Sequence, residues 1–140
     1  EKFTKGKGSF MPRPFIPPAE PTDKEYNFIL STGRVYWHWH TRTMTNRTST
    51  LERESPEPYV EMHQEDAQKL GIKNGQLVRV SSRRGSITLK TALGQKVARG
   101  SLFIPFHFRE AAANCLTICA VDPVAKIPEY KVCAAKVEKI

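Results

Sequence analysis

The apolar residues of this chain come in short, alternating runs separated by Gly, Pro and Asn, and that punctuation is what most restricts the fold. Runs of this kind make strands, because successive side chains of an extended backbone point to opposite faces. The clearest pair is Gln76 to Ser82, with Leu77, Val78 and Val80, and Ser86 to Leu93, with Ile87, Leu89 and Thr91. The tight Arg83-Arg84-Gly85 connection makes them a hairpin. Further strands are expected at Phe28-Ile29-Leu30, ended by Gly33, at Tyr59-Val60-Glu61-Met62-His63, at Ser101 to Pro105 after Gly100, and at Lys131 to Val137. Gln64 to Leu70 reads as a short helix: Glu65 and Asp66 occupy its first turn, Ala67 and Leu70 share a face, and Gly71 supplies a left-handed cap. Asn74-Gly75 is a turn, Glu110 to Leu116 a helical turn, and Asp122-Pro123 opens a loop. Many short strands, few helices and no internal repeat imply a mainly β domain, a small barrel with decorations.

At 140 residues and 39% hydrophobic content, the chain has enough material for one domain with a core of its own. Residues 1–26 differ from the rest: Gly6 and Gly8 precede Pro12, Pro14, Pro17, Pro18 and Pro21, so this segment reads as an extended arm or linker ahead of a domain at 27–140. A linker placed first, with no initiator Met, reads as a fragment or a processed piece. No apolar run approaches the roughly 20 residues of a membrane span, and the opening residues lack a leader-like stretch. The three cysteines, Cys115, Cys119 and Cys133, are an odd number without a zinc-type CxxC pair, and read as buried thiols of a reducing compartment. That favours the cytoplasm, with the periplasm left open.

A net charge of +8, from 22 basic and 14 acidic residues, suits a polyanionic partner or serves solubility alone. Three stretches are candidates to meet an anion. The first is Thr32-Gly33-Arg34-Val35-Tyr36-Trp37-His38-Trp39-His40-Thr41, within a long loop running to Thr50. Here a glycine allows close backbone approach, Arg34 can fork onto phosphate or a guanine edge, and two hydroxyls, two indoles and two imidazoles surround it. If extended, it shows both Trp on one face and both His on the other. It reads equally as a loop whose tryptophans plug into the core. The second is Phe106-His107-Phe108 followed by Asn114, where rings can wall a pocket and an amide can pair with a purine or pterin edge, or where core phenylalanines simply pack. The third is Lys131 between apolar neighbours, aimed at an anion or snorkelling at the surface. Arg83 and Arg84 form either a solvated turn or a further anionic contact. His38 and His40 are too few for a metal site, and no nucleophile, paired-carboxylate or phosphate-loop motif is present, so neither a catalytic residue nor a metal ligand is assigned.

These pieces, in this order, resemble the dinucleotide-binding domain of molybdopterin oxidoreductases. The likeness starts with Leu30-Ser31-Thr32-Gly33-Arg34, His38-Trp39-His40-Thr41 and Met44-Thr45. It runs through Val60-Glu61-Met62-His63, Asp66-Ala67, Leu70-Gly71-Ile72 and the Val78 to Gly85 hairpin. Phe106-His107-Phe108, Asn114, Leu116-Thr117, Asp122-Pro123, Lys126, Glu129-Tyr130-Lys131 and Cys133-Ala134 complete it, covering roughly residues 27–140. The catalytic subunits of formate dehydrogenases are the most similar members, with periplasmic-type nitrate reductases next.

The resemblance implies a six-stranded double-psi β-barrel that forms the C-terminal domain of a larger catalytic subunit. It implies two molybdopterin guanine dinucleotides around one molybdenum or tungsten, oxidation of formate to carbon dioxide, and electron-transfer subunits beyond. It also implies that Thr32 to Thr41, Phe106, Asn114 and Lys131 contact the cofactor or its surroundings. The metal ligand and the iron–sulfur cysteines of the family lie in N-terminal regions that this chain does not contain, and Cys115, Cys119 and Cys133 do not occupy the ligand position. The isolated chain is therefore expected to have no turnover. Arg42 stands where many relatives have Gly, and Thr91 to Arg99 follows the family pattern only loosely. A nucleic-acid-binding barrel is the alternative of another class, disfavoured by basic residues that are dispersed rather than gathered into a patch.

Overall fold

A computed structural model describes residues 2–140. Glu1, the first residue of the expected arm, lies outside the described residues. Six strands form: β1 (Phe28–Gly33), β2 (Tyr59–His63), β3 (Leu77–Ser81), β4 (Ser86–Gly94), β5 (Ser101–Pro105) and β6 (Cys133–Lys139). They close into a barrel in the order β1-β5-β2-β4-β3-β6. β1 with β5 and β2 with β4 are parallel, and every other neighbouring pair is antiparallel. Replacing each of the first three strands by the one three places later, and the reverse, returns the same ring with the same parallel pairs. This two-fold connectivity is that of the double-psi barrel, so the expected fold class is met. The repetition resides in topology alone; the sequence carries no repeat.

Alternation explains the closure. Leu30 and Thr32, Val60 and Met62, Val78 and Val80, Leu89 and Thr91, Leu102 and Ile104, and Cys133, Ala135 and Val137 are buried, while the residues between them, apart from the buried Ala134, are at least partly exposed. Inward side chains fill a small barrel completely, so this set is the core. The β3–β4 hairpin pairs Ser81 with Ser86, and the Ser82 amide donates to the Gly85 carbonyl at 2.9 Å.

Outside the barrel, α2 (Gln64–Lys69) follows β2, and Gly71 ends it at φ +65. Its buried Asp66 accepts from the Gly100 amide at 2.7 Å, pinning the start of β5. A second short helix, α1 (Ser49–Glu54), was not expected within or after the long loop. The Glu110 to Leu116 segment is two 3-10 turns, Arg109–Ala111 and Ala113–Cys115. The last strand begins at Cys133 rather than Lys131. Among the described residues no helix is long and apolar enough to cross a membrane.

The cysteine expectation needs correction. Cys133 is buried, and burial pushes its thiol up, but Cys115 and Cys119 are exposed. Cys115 ends the Ala113–Cys115 3-10 turn, and Cys119 lies in the irregular segment that follows it.

Residues 2–17 lie exposed, while Glu20 to Tyr26 are tied to the barrel. Glu20 accepts from both Arg83 and Arg84 at 2.7 Å and from the Ala134 amide at 2.9 Å. Asp23 pairs with Arg83, whose guanidinium also lies 4.6 Å from the Tyr26 ring centre. Arg83 and Arg84 thus have their counterions within the chain. The Arg84 guanidinium above all, then the Ala134 amide and Arg83, hold the Glu20 carboxyl at about 2 against the opposing effect of burial.

Candidate functional site

β1 ends at Gly33, and the chain turns outward immediately. A Cβ on Gly33 would lie 2.5 Å from Phe103 Cε2 and 3.7 Å from Lys131 Nζ, so the close approach of β5 and the Lys131 side chain needs glycine here. The Gly33 carbonyl accepts from the Phe106 amide at 3.1 Å. Beside it the buried Thr32 hydroxyl donates to the Tyr130 carbonyl at 2.8 Å, and Lys131 Nζ donates to the Thr32 carbonyl at 2.6 Å. These bonds gather three segments distant in sequence at one rim of the barrel.

The result is a cleft of ≈ 710 Å³ lined by Thr32, Arg34, His40, Thr41, Phe106, Asn114, Tyr130 and Lys131. Members of all three sequence candidates meet in it. Tyr130 belongs to it too; it stands in the third candidate stretch, Glu129 to Cys133, in which only Lys131 was assigned a contact. Arg34 stacks 5.3 Å from the Trp39 ring centre, and the His40 and Phe106 rings meet edge to face at 6.1 Å. Among the described residues no carboxylate pairs with Arg34 or Lys131. A cleft with two uncompensated cations, an amide, a hydroxyl and ring faces can take an anionic, ring-bearing ligand.

The remaining residues of the 32–41 stretch lie elsewhere. Val35, Tyr36 and Trp37 line a separate cleft of ≈ 560 Å³, with Arg34 on the boundary, over the outward faces of β1, β2 and β5. His38 is buried beneath the loop: Nε2 donates to the Ser55 carbonyl at 2.7 Å, and Nδ1 accepts from the Thr45 hydroxyl at 3.1 Å. Trp37 and Trp39 are both exposed, so the tryptophans do not plug into the core. The expected two-faced alternation of Trp and His is absent, because the stretch is a turn with His40 at φ 46 and Arg42 at φ 66. Left-handed residues break the period of two.

Sequence reasoning also left His107 unassigned. It is buried, accepts from the Val35 amide at 2.9 Å through Nε2, and meets the His40 carbonyl through Nδ1.

Comparison with known proteins fits this geometry. The family model described as molydopterin dinucleotide binding domain matches residues 28–134. The F420-dependent formate dehydrogenase 1 subunit alpha of Methanococcus maripaludis is 50% identical over 135 residues, which is 96% of this chain and 20% of that protein. A nitrate reductase of Symbiobacterium thermophilum is 46% identical over 138 residues, 96% of this chain and 18% of that protein. The chain thus spans about a fifth of the length of these relatives. Among solved structures, acetylene hydratase from Pelobacter acetylenicus superposes with a TM-score of 0.72 at 20% identity, covering 82% of this chain and 18% of that one, which supports the fold. With the family model covering the whole barrel up to the start of β6, this chain belongs to the molydopterin dinucleotide binding domain family.

Proposed function

We propose that the cleft between Arg34, Phe106, Asn114 and Lys131 grips the dinucleotide of a molybdopterin guanine dinucleotide cofactor, as one domain of a molybdenum or tungsten formate dehydrogenase. The observation that carries this reading is the convergence of three separate segments on one cleft whose two cations have no carboxylate partner. The residues fit the group. Arg34 presents a planar fork suited to pyrophosphate or to a guanine edge, and Lys131 keeps donors beyond the one given to Thr32. Asn114 is exposed and offers both a donor and an acceptor to a purine or pterin edge. Phe106 and His40 offer ring contact, and the absent Gly33 side chain lets the rim close around the ligand.

When bound, the metal–pterin centre supplies the redox chemistry. This chain's residues bind the anionic tail, fix its orientation and cover it from water. The metal ligand and any iron–sulfur cluster belong to other parts of the catalytic subunit, with electron-transfer subunits receiving the electrons taken from formate. Formate is favoured as substrate by the identity to the methanogen enzyme. The nitrate reductase relative supports a second reading, the same domain in an enzyme acting on nitrate. An arm at 1–26 leading into a barrel domain at 27–140 suits the exposed residues 2–17, and exposed, unpaired thiols suit the cytoplasm.

Titration of the 140-residue chain with guanosine diphosphate tests the reading. Arg34 stacks on Trp39, so occupancy should change the indole fluorescence. Weak, saturable binding, on the order of millimolar, is expected because much of the enclosure lies in the rest of the subunit. No fluorescence change at such concentrations would refute a preformed dinucleotide site.

A further inference from the structure

The Val35–His40 turn forms a wall of both clefts, and one side chain reaches its two ends. The His40 carbonyl can only accept, so the imidazole nitrogen facing it, Nδ1, carries a proton. The Val35 amide can only donate, so Nε2 of the same ring is bare. A single neutral tautomer of His107 satisfies both ends. We infer that His107 is the positioning residue of the dinucleotide cleft: as a neutral imidazole it staples the Val35–His40 turn, and its protonation releases the turn. The consequence for ligand binding rests on the proposed function above; the staple itself does not.

The groups facing His107 point the same way. His38, in the same turn, lies 5.9 Å away ring to ring. Arg34 and Arg42 of the loop act on it, and Arg47, Arg109 and Glu110 share a small cleft with it. Arg42 is balanced by Glu52 of α1 and by Glu110. Phe106 and Phe108 flank His107 in sequence, and their ring centres lie 4.8 and 6.2 Å from that of its imidazole. Burial, first, and then the positive surroundings hold the His107 imidazole below its ordinary 6.5, against the opposing bond to His40. An unfolded chain takes up this proton at the ordinary value and the folded chain only at a lower pH. The staple is therefore complete above pH 6.5 and is lost as pH falls through the folded value.

Nitrogen-15 spectra of the imidazoles in the 140-residue chain, with amide exchange followed from pH 8 to about pH 5, test this directly. Expected at neutral pH is a His107 ring protonated at Nδ1 and bare at Nε2, with a protected Val35 amide. As His107 gains its second proton, the protection of the Val35 amide, taken relative to the intrinsic exchange rate at each pH, should fall about tenfold while the barrel amides of Val80 and Leu102 stay protected, the scale set by losing one buried hydrogen bond. Affinity for guanosine diphosphate should fall with the same midpoint. His107→Phe, which keeps a ring and removes both bonds, should show fast Val35 exchange at every pH. An Nε2-protonated ring at neutral pH, or a Val35 amide that stays protected beside a charged His107, would overturn the inference. No nucleotide binding at any pH, with the Val35 response intact, would sink the dinucleotide reading and leave the staple standing.

Discussion

Arg83 and Arg84 on the β3–β4 turn, and Arg34 and Lys131 at the cleft, are two pairs of cations provided for in opposite ways. The first pair meets Glu20 and Asp23 from the arm, and Arg84 also donates to the Leu116 carbonyl at 3.0 Å. The second pair has a ring face and a backbone carbonyl, but no anion among the described residues. A cation with its counterion in the chain contributes to folding. A cation without one keeps the potential of its cleft positive and leaves the anion to be supplied by a ligand. The net charge of +8 conceals this division, because it counts both pairs alike.

The largest effect should come from breaking the satisfied pair. Glu20→Ala removes the acceptor for two guanidinium groups and the Ala134 amide, from a side chain that is 14% exposed. A loss of about 2 kcal/mol in urea unfolding is expected, allowing for partial solvent screening. The Glu20 carboxyl sits at about 2 in the fold against 4.5 ordinarily, so its contribution is present above pH 4.5 and disappears as pH falls toward 2. The variant's stability should accordingly be flatter across that acid range. Affinity for guanosine diphosphate should not move. A variant as stable as the parent would mean that the arm's contact is incidental.

Removing the unsatisfied pair should do the reverse. Arg34→Ala is expected to weaken guanosine diphosphate binding about tenfold, the worth of one charge-assisted contact, while changing stability by less than about 0.5 kcal/mol. Lys131→Met should weaken binding by a smaller factor and cost some stability, because Lys131 also holds the Thr32 carbonyl. In the parent chain, binding should weaken with added salt, and each variant should show a shallower dependence. Unchanged affinity in both variants would erase the distinction between the two cation pairs.

The strands were legible because alternation and turn residues agree: Val78 and Val80 face Ile87 and Leu89 across a hairpin whose tip is spelled Arg83-Arg84-Gly85. Helix α1 was not, because none of its residues is buried and it carries no apolar stripe. The cleft was half legible. Gly33, Arg34 and Asn114 are recognisable from their chemistry, yet their meeting depends on parallel pairing of β1 with β5 and on the Thr32–Tyr130 bond, 98 residues apart in sequence. His107 stood in the second candidate stretch without a role, because that role is defined by a donor at Val35 and an acceptor at His40, which only the folded turn brings within reach. The failed alternation has a similar cause: His40 leaves the face of His38 through a left-handed backbone that is invisible to a pattern that assumes an extended chain.

Arg42 sharpens the comparison, being a cation beside the cleft that is nevertheless paired. Its backbone at φ 66 suits glycine, and holding an L-residue there costs about 1–2 kcal/mol. Against that, the guanidinium bonds Glu52 and lies 4.8 Å from the Phe108 ring centre, contacts that contribute about 0.5–1 kcal/mol each. The two sides nearly cancel, so Arg42→Gly should change stability by less than about 1 kcal/mol. Its visible consequence lies in charge. Glu52 and Glu110 lose their partner near the cleft, and guanosine diphosphate binding should weaken about twofold at low salt, with the difference vanishing at high salt, where such interactions are screened. The Asn46 amide, which donates to the Arg42 carbonyl at 2.9 Å, should exchange faster as the loop loosens. Tighter nucleotide binding in this variant would show instead that the Arg42 side chain obstructs the cleft and that its charge, like that of its two carboxylates, does not reach the ligand.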